Sequence, residues 1–385
     1  MLKKRVIPVI LVIISLFIFT QTALATSTPD ISIKGEACIL VDGVTGQVLY
    51  EQNPEKKWYP ASITKIMTMI LALEATESGK ASLDDPVETS EYAADMGGSQ
   101  VYLYAGETRT LHEMLIAIAV GSGNDASVAV GEYLAGSNDE FRKMMNEKAK
   151  EIGMKNTNFV NCHGLHDDNH YTSAADMAKL ALYALKVPKF LDYTSIYEYD
   201  FRPEPKPLKL WNTNRLLKWY DGTDGMKTGS TSAAKRNLVC TVERNGLRLI
   251  SVVLGVDVVN GHFTETMKLM NYGFNRFEFA GLYQSGDKIA NVRVGKGKSD
   301  TVDAVPAKNV GITKMKGEDI QLDTRLDIAK YVEAPLKKGD KLGEVVVLKQ
   351  GQEVNRVDLL AAQDVDKGNL IRQFAKMLRT VMLAV

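Results

Sequence analysis

The chain has 385 residues, and its 47 basic and 47 acidic side chains cancel to a formal net charge of zero. This balance, without a long basic run, argues against a nucleic-acid-binding protein. The apolar fraction of 45% supports a sizeable core, and the length suggests two domains at roughly 150 residues each.

Residues 1–25 have the features of a signal peptide. Basic residues at 3–5 precede the almost uncharged apolar run 6–20, and the small-x-small pattern at 23–25 suits a signal peptidase. An uncleaved membrane anchor is the alternative, but the apolar run is short for a spanning helix. We therefore expect an exported protein.

The segments from 26 to 277 predict one α+β domain. A hairpin at 37–50 and strands from 225 onward, with a tight turn at Asn245-Gly246, lie at its two ends. A buried helix headed by Ser62 follows the hairpin. The middle block, 110–185, is expected to be all helix and loop, with helices at 110–134, broken at 121–123, at 139–152 and at 173–185. A last helix, 264–274, closes the domain. This order predicts an antiparallel sheet made from both ends of the domain, with an inserted helical lobe.

A second domain and a terminal helix are predicted after residue 277. Short alternating runs broken by Gly, Pro and Lys-Lys-Gly-Asp turns at 278–365 are typical of a small all-β sandwich or barrel. Residues 366–385 place apolar side chains on one helical stripe with basic residues off it, a pattern of helices that lie in a membrane interface. Docking of this helix on its own domain is the alternative.

Cysteine and histidine residues give only weak indications of a disulfide or a metal site. Cys38, Cys162 and Cys240 are far apart, and two of them lie in strand-like runs, where cysteine is usually a small buried hydrophobe. The segment 162–170 contains three of the five histidines and two aspartates, which could bind zinc. It also reads as a polar loop before a helix cap, so we expect neither a metal nor a disulfide.

Ser62 and Lys65 form a Ser-x-x-Lys motif at the start of the buried helix. Residues three apart share a helical face, so the amine can reach the hydroxyl, and burial lowers a lysine pKa toward the range where the amine can act as a base. The free N–H groups at a helix start also favour a developing oxyanion. The spacing alone is weak evidence, because it occurs by chance in many proteins.

Two further motifs follow in order. Ser122-Gly123-Asn124 lies at the break in a helical stretch, and Lys227-Thr228-Gly229 opens the later strands, where glycine permits close approach of a ligand to the backbone. The three motifs together resemble those of the serine acyltransferases that react with penicillin.

Among these enzymes the chain most resembles the low-molecular-mass penicillin-binding proteins that are D-alanyl-D-alanine carboxypeptidases. The resemblance extends over nearly the whole chain, including EACILVDGVTGQVLYEQN, YPASITKIMT, VGSGNDAS, HGL, DGMKTGST and LISVVLG. It implies a penicillin-binding, β-lactamase-like catalytic domain, a peptidoglycan pentapeptide substrate and inhibition by β-lactams. It also implies no cofactor, and a location at the outer face of the cytoplasmic membrane through the C-terminal helix.

The resemblance implies a role for each residue in acylation. Ser62 would attack the carbonyl of the penultimate D-alanine, and Lys65 would accept its proton. Ser122 would relay a proton to the departing amine, and Asn124 would hold both the lysine and the substrate amide. The oxyanion would be bound by the backbone N–H groups of Ser62 and Ser230.

The resemblance also implies how the terminal carboxylate is bound. Lys227 and Thr228 would face this carboxylate, with Gly229 next to them along the strand. The family often has an arginine shortly after LISVVLG, and the nearest equivalent in this chain is His262 in NGHFTET. Carboxylate binding is then expected to rest more on Lys227, or to depend on pH because histidine titrates near neutrality; a surface histidine at a helix start is the alternative.

Three rival functions remain to be separated. Efficient β-lactamases of class A add a glutamate that activates water, but the corresponding stretch here, 157–164, contains no acid, so penicillin is expected to stay attached to Ser62. An endopeptidase acting on cross-links would use the same residues. A peptidoglycan-binding protein without turnover is disfavoured because all three motifs are intact.

Overall fold

The computed structural model describes residues 31–203, 207–369 and 373. The predicted signal peptide, 1–25, lies outside the described residues. The predicted terminal helix, 366–385, lies outside them except for 366–369 and 373. Within the part of the chain that is described, no helix is long and apolar enough to span a membrane.

The first part of the described chain contains both strands and helices. The strands are β1 (Ala37–Asp42), β2 (Val48–Gln52), β3 (Pro86–Glu88), β4 (Thr108–Thr110), β5 (Glu198–Arg202), β6 (Leu208–Trp211), β7 (Thr223–Thr231), β8 (Lys235–Arg244) and β9 (Leu247–Val256). The helices are α1 (Lys65–Glu77), α2 (Glu91–Ala94), α3 (Leu111–Ala119), α4 (Asn124–Ala135), α5 (Asn138–Ile152), α6 (Ala174–Ala184), α7 (Phe190–Thr194), α8 (Leu216–Trp219) and α9 (Gly261–Arg276).

The main sheet is antiparallel and has the strand order β2-β1-β9-β8-β7. β2 and β1 come from the start of this region, and β9, β8 and β7 come from its end. The prediction that both ends of the domain contribute strands to one sheet is therefore confirmed. β8 and β9 are joined at Asn245 and Gly246, both with positive φ, as a tight hairpin turn requires. β7 is left at the edge of the sheet, where a ligand can reach it.

The sheet is covered on both faces because successive residues of a strand point to opposite sides. Ile39 and Val41 of β1 pack into the core shared with the helices inserted between β2 and β7. Cys38 and Leu40 pack into the core shared with α9. α1 is buried along its first nine residues, as its uniformly apolar sequence predicted.

Polar caps fix where the inserted helices begin. Thr110 and Glu113 form a capping box at α3, and Ser137 and Ser173 accept backbone N–H bonds at the starts of α5 and α6. The block 110–185 contains helices and loops after the last residue of β4, as predicted. The short pairs β3–β4 and β5–β6 flank this block and were not predicted. These strands are three to five residues long, too short for a clear alternating pattern.

The chain after α9 contains strands throughout. They are β10 (Phe277–Tyr283), β11 (Ala290–Gly295), β12 (Thr301–Pro306), β13 (Val310–Met315), β14 (Leu322–Ile328), β15 (Tyr331–Glu333), β16 (Lys341–Lys349) and β17 (Gln352–Ala361). β10 pairs with β13, and the others form a six-stranded sheet, β14-β16-β17-β12-β11-β15, over a separate apolar core. The α+β region followed by an all-β region was predicted, while the exact domain limits stay predictions.

Candidate active site

Ser62 and Lys65 lie side by side where α1 begins. A single 3₁₀ turn, Ala61–Thr64, leads directly into the helix, and the Nζ of Lys65 is 3.0 Å from the Oγ of Ser62. Ala61 has a φ of +51°, a conformation that is uncommon for a residue with a side chain and that concentrates at functional sites. The turn places the Ser62 hydroxyl at the start of a buried helix. Ala61–Thr64 is called the nucleophile turn below, because Ser62 is the candidate nucleophile.

The Lys65 amine is surrounded by partners that suit its neutral form. Besides Ser62, its Nζ lies 2.6 Å from the Oδ1 of Asn124 and 2.7 Å from the carbonyl oxygen of His163. All three contacts fit donation from Lys65; once the amine is uncharged, its two N–H bonds can serve the two carbonyl oxygens and its lone pair can accept from the Ser62 hydroxyl. Burial, and secondarily the charge of Lys227, hold the pKa of Lys65 well below its ordinary value.

Ser122 and Asn124 are both buried at the break between α3 and α4. Ser122 has a φ of +57°, and Asn124 is the first residue of α4. The Asn124 Nδ2 donates to the carbonyl of Gly97 at 2.6 Å, while its Oδ1 accepts from Lys65. Ser122 is not among the hydrogen-bond partners of Lys65, so the structure joins only Asn124 directly to the nucleophile turn.

The edge strand β7 carries Lys227, Thr228 and the exposed Ser230. Lys227 forms no ion pair with any described residue; its Nζ is 3.5 Å from the Oγ1 of Thr213 and 3.3 Å from the carbonyl oxygen of Thr228. Burial lowers its pKa to about 7. The Thr228 hydroxyl donates to the Thr213 hydroxyl at 2.6 Å, and a buried amine and hydroxyls without a carboxylate partner suit an anion.

Two glycines bring other backbone segments against the nucleophile turn. A Cβ on Gly229 would lie 2.7 Å from the carbonyl oxygen of Pro60 and 2.9 Å from the nitrogen of Ser62. A Cβ on Gly164 would lie 2.0 Å from the carbonyl oxygen of Ala61. Glycine is required at both positions, because only an absent side chain lets β7 and the HGL loop touch the turn from two sides.

Three further contacts around the site have no signature in the sequence motifs. Asn237 on β8 donates to the carbonyls of Tyr59 and Pro60, both at 2.8 Å, and so ties the segment before the turn to the sheet. The His163 carbonyl binds Lys65 and the Thr213 hydroxyl binds Thr228, as described above. Of these three contacts, only that of His163 lies in a sequence motif, HGL. The motif did not indicate that the contact is made by a backbone carbonyl oxygen.

His262 does not have the pKa near neutrality that was predicted for it. The side chain is buried, and this burial, together with the charges of Arg236 and Arg215, lowers its pKa to about 4. Its Nδ1 has no hydrogen-bond partner among the described residues. The predicted pH-dependent cation at this position is therefore wrong, because the imidazole is uncharged at pH 7.

The histidine-rich loop is held by hydrogen bonds of uncharged imidazoles. The Nδ1 of His163 accepts from the Leu165 N–H at 3.1 Å, and the Nδ1 of His170 accepts from the Val160 N–H at 3.0 Å. Burial lowers the pKa of His163 to about 3 and that of His170 to about 4. No group of three metal-binding side chains occurs among the described residues, and the three cysteines are buried and unpaired.

Comparison with known proteins assigns the chain to a family. Residues 22–258, more than half of the chain, match the family model described as D-alanyl-D-alanine carboxypeptidase. The chain belongs to the D-alanyl-D-alanine carboxypeptidase family. Residues 277–367 match a second model, the C-terminal domain of penicillin-binding protein 5. The predicted family and its α+β fold with an all-β region are thereby confirmed.

Relatives of this D-alanyl-D-alanine carboxypeptidase family member are similar along most of their length. The D-alanyl-D-alanine carboxypeptidase DacF of Bacillus subtilis is 39% identical over 375 residues, 96% of each chain. The structure of penicillin-binding protein 5 from Haemophilus influenzae is 33% identical, with a TM-score of 0.66, and covers 88% of this chain and 99% of its own. Penicillin-binding protein D2 from Listeria monocytogenes, in its ampicillin-bound form, is 32% identical with a TM-score of 0.58, covering 64% and 100%.

The three motifs lie within the region that matches the carboxypeptidase model. The protein is thus a serine carboxypeptidase of this family, as the resemblance implied. The structure brings Ser62, Lys65 and Asn124 into one hydrogen-bonded group, with Gly229 packed against the same turn. Family membership does not by itself assign roles to these side chains.

Proposed function

We propose that this carboxypeptidase removes the terminal D-alanine from peptidoglycan stem pentapeptides through an ester at Ser62. The observation that carries the proposal is the 3.0 Å contact between the Ser62 hydroxyl and the buried amine of Lys65. Serine needs a base before it can act as a nucleophile. Lys65 meets this need because its other two contacts are acceptors and its pKa is lowered.

Acylation would begin when Ser62 Oγ attacks the carbonyl of the penultimate D-alanine and its proton passes to Lys65 Nζ. The backbone N–H groups of Ser62 and Ser230 would hold the oxyanion, which the close packing of Gly229 on the turn supports. The tetrahedral intermediate then expels the amine of the last D-alanine, which takes a proton from Lys65 or through Ser122. Asn124 would keep the lysine in place and bind the substrate amide.

The leaving D-alanine ends in a carboxylate. This carboxylate would bind at the end of the site formed by Lys227 and Thr228. Lys227 is buried without an acidic partner among the described residues, and the Thr228 hydroxyl bonds only to another hydroxyl. Replacing that contact with a charged oxygen gains a charge-assisted hydrogen bond. A substrate with a free C-terminal carboxylate is therefore favoured over an internal peptide.

Deacylation by water would complete turnover with a pentapeptide but proceed slowly with β-lactams. Residues 157–164 contain no acid that could activate water, in contrast to the glutamate expected of an efficient β-lactamase. The ampicillin-bound form of the Listeria relative supports binding of β-lactams at this kind of site. Penicillin is thus an inhibitor in this proposal.

The proposed setting is the cell envelope. A cleaved signal peptide at 1–25 would export the chain, and the amphipathic segment 366–385 would hold it at the outer face of the cytoplasmic membrane. The catalytic domain would extend over 26–277, and the β domain, 278–365, would act as a spacer or an interaction module. Removing 366–385 and measuring the share of protein in the membrane fraction tests the anchor.

The activity is tested with two substrates. Purified protein is incubated with a pentapeptide ending in D-Ala-D-Ala and with a cross-linked dimer, and the released species are identified by mass. We expect D-alanine from the pentapeptide, no release by Ser62→Ala, and unchanged release by Ser78→Ala, an exposed control just past the end of α1.

Other outcomes lead to the rival functions. Cleavage of the dimer alone would make the protein an endopeptidase. A folded protein that binds peptidoglycan but cleaves neither substrate would be a non-catalytic envelope protein. Rapid hydrolysis of penicillin would indicate a β-lactamase.

A further inference from the structure

Two arginines lie beside the accessible end of β7 and form no ion pair with a described residue. Arg236, at the start of β8, is the cross-strand partner of Ser230, and its guanidinium donates to the backbone carbonyl of Asp257. The guanidinium carbon of Arg215 lies 5.5 Å from the ring centre of Trp219. Neither charge is neutralised by a carboxylate in the described chain.

The strand register brings Arg236 close to the candidate carboxylate-binding hydroxyls. Residues directly opposite each other in an antiparallel pair have Cβ atoms about 5 Å apart, and diagonal neighbours lie about 7–8 Å apart. Thr228 is two residues from Ser230 and thus on the same face of the sheet as Arg236. An extended arginine side chain is long enough for this diagonal distance. The Arg236 guanidinium lies on the opposite side of β8, at the carbonyl of Asp257 just after β9, so it reaches Thr228 only after a change of rotamer.

Arg215 approaches the same place from the loop before α8. Thr213, two residues earlier, accepts the hydrogen bond of the Thr228 hydroxyl at 2.6 Å and lies 3.5 Å from the amine of Lys227. One short loop therefore carries both a hydroxyl in contact with the β7 motif and an exposed arginine. Arg215 thus belongs to the loop that contacts Thr228, and Arg236 belongs to the strand paired with β7.

His262 provides independent evidence that the two charges converge. Burial, and after it the positive charges of Arg236 and Arg215, lower the pKa of its imidazole, so both charges act at this position. The buried Nδ1 of His262 has no hydrogen-bond partner among the described residues. His262 is also the second residue of α9, where the positive end of the helix dipole adds to the field.

We propose that Arg236 and Arg215 supply the positive charge that recognises the C-terminal carboxylate of the peptide substrate. The Thr228 hydroxyl turns from Thr213 to this carboxylate when the substrate binds. His262 is an uncharged neighbour of the two arginines and not the cation of the site. This inference rests on the proposed carboxypeptidase function and assigns the residues that select its substrate.

The positive charge of the arginines is needed because neither buried lysine, Lys227 or Lys65, supplies a constant charge. Burial lowers the pKa of Lys227 to about 7, so its charge is sensitive to pH around neutrality. Lys65 must be neutral to act as a base. Arginine stays protonated at any physiological pH and matches a carboxylate with two parallel N–H bonds, so only the two arginines hold a constant charge for the substrate.

The experiment compares a substrate that has the carboxylate with one that lacks it. The ratio of kcat/KM for an acyl-D-Ala-D-Ala peptide to kcat/KM for its C-terminal amide is measured in the full-length protein. We expect Arg236→Gln to lower this ratio about 10- to 100-fold, as loss of a charge-assisted hydrogen bond predicts, and Arg215→Gln to lower it several-fold. Arg236→Lys should restore part of the ratio, which loss of packing alone would not explain.

The matched control is Arg244→Gln. Arg244 also lies on β8, but its guanidinium packs on Tyr220 and Phe274 and donates to the carbonyl of Asp221. The ratio should stay at the wild-type value in this variant. His262→Gln should change it less than about threefold at pH 7, since the imidazole is uncharged there.

The outcomes separate this inference from the proposed function. Wild-type protein that cleaves neither peptide contradicts the proposed function, and the arginines are then judged from acylation by penicillin compared with its methyl ester. The inference is overturned if Arg236→Gln and Arg215→Gln, folded by their melting curves, keep the wild-type preference for the acid. It is equally overturned if His262→Gln alone removes that preference.

Discussion

The two ends of the candidate active site place a lysine in opposite environments. At the nucleophile end, Lys65 is enclosed by Ser62, Asn124 and a backbone carbonyl. At the carboxylate end, Lys227 touches only hydroxyl and carbonyl oxygens of threonines, and the two arginines have no ion pair in the described chain. The amine at the first end already has three hydrogen-bond partners. The cations at the second end can still bind a further acceptor.

This difference follows from the chemistry that each end would perform. A base must be neutral before the reaction, so burial and satisfied hydrogen bonds favour the uncharged amine. An anion-binding site must keep its charge until the ligand arrives, so its cations cannot be paired internally. The same residue type, lysine, is therefore placed in two environments with different consequences.

The largest effect is expected from Lys65→Arg. Arginine remains protonated, so it can keep a positive charge near Ser62 but cannot accept the serine proton. We expect the rate of acylation by penicillin to fall about 10²- to 10⁴-fold, the usual contribution of a general base. Lys80→Arg, in the exposed turn after α1, should have no effect, and a comparable rate in both variants would contradict the role of Lys65.

A smaller loss is expected from Gly229→Ala at the meeting point of the two ends. The added methyl would lie within 3.0 Å of three backbone atoms of the nucleophile turn, so β7 and the turn must move apart. A displacement of about 1 Å in a reacting group can cost about 10²-fold in rate. Stopped-flow acylation measures the loss, and thermal unfolding shows whether the fold is retained; a wild-type rate would show that the contact is unimportant.

The pH dependence separates the contribution of Lys227 from that of the arginines. Its pKa of about 7 means that the amine is charged below this pH and loses its charge as the pH rises through 7. The acid-to-amide ratio of kcat/KM should therefore fall between pH 6 and pH 9 by up to about tenfold. In Lys227→Arg the ratio should stay flat; a flat profile in the wild type would exclude Lys227 from carboxylate binding.

The smallest effect concerns stability and the HGL loop, which supports the nucleophile end. His170 is uncharged in the folded protein because burial lowers its pKa from 6.5 to about 4. Between these values the unfolded chain binds a proton that the folded chain does not, so stability is full above pH 6.5 and falls as the pH drops toward 4. Chemical denaturation should show a loss of up to about 3 kcal/mol from this group.

The matched pair for that measurement is His170→Gln and His166→Gln. His166 lies in the same loop, but its side chain is 40% exposed, so His166→Gln is the control for replacing a histidine of this loop. Replacing His170 should reduce the slope between pH 4 and pH 6.5. Equal slopes in all three proteins would show that the buried imidazole does not contribute.

Much of the fold could be predicted because its signals are local. The uniformly apolar run after Lys65 gave the buried α1, and Asn245-Gly246 gave the β8–β9 turn. The short strands β3 to β6 were missed because three to five residues cannot show a reliable period of two. Their pairing depends on neighbours that a single segment does not reveal.

The nucleophile end was more predictable than the carboxylate end for the same reason. Ser62 and Lys65 are three residues apart, so helical geometry alone joins them. The His163 carbonyl that completes the site is 98 residues from Lys65, and Asn237 is 177 residues from Pro60. The pKa of His262 depends on burial and two distant arginines, none of which a local motif contains.

The account depends most directly on covalent attachment of an acyl group to Ser62. Full-length protein is incubated with penicillin, the intact mass is recorded, and the modified peptide is sequenced by tandem mass spectrometry. We predict one added penicilloyl group on Ser62 and none in Ser62→Ala. An unmodified wild-type protein that is shown to be folded, or the same mass increase in Ser62→Ala, would contradict the account.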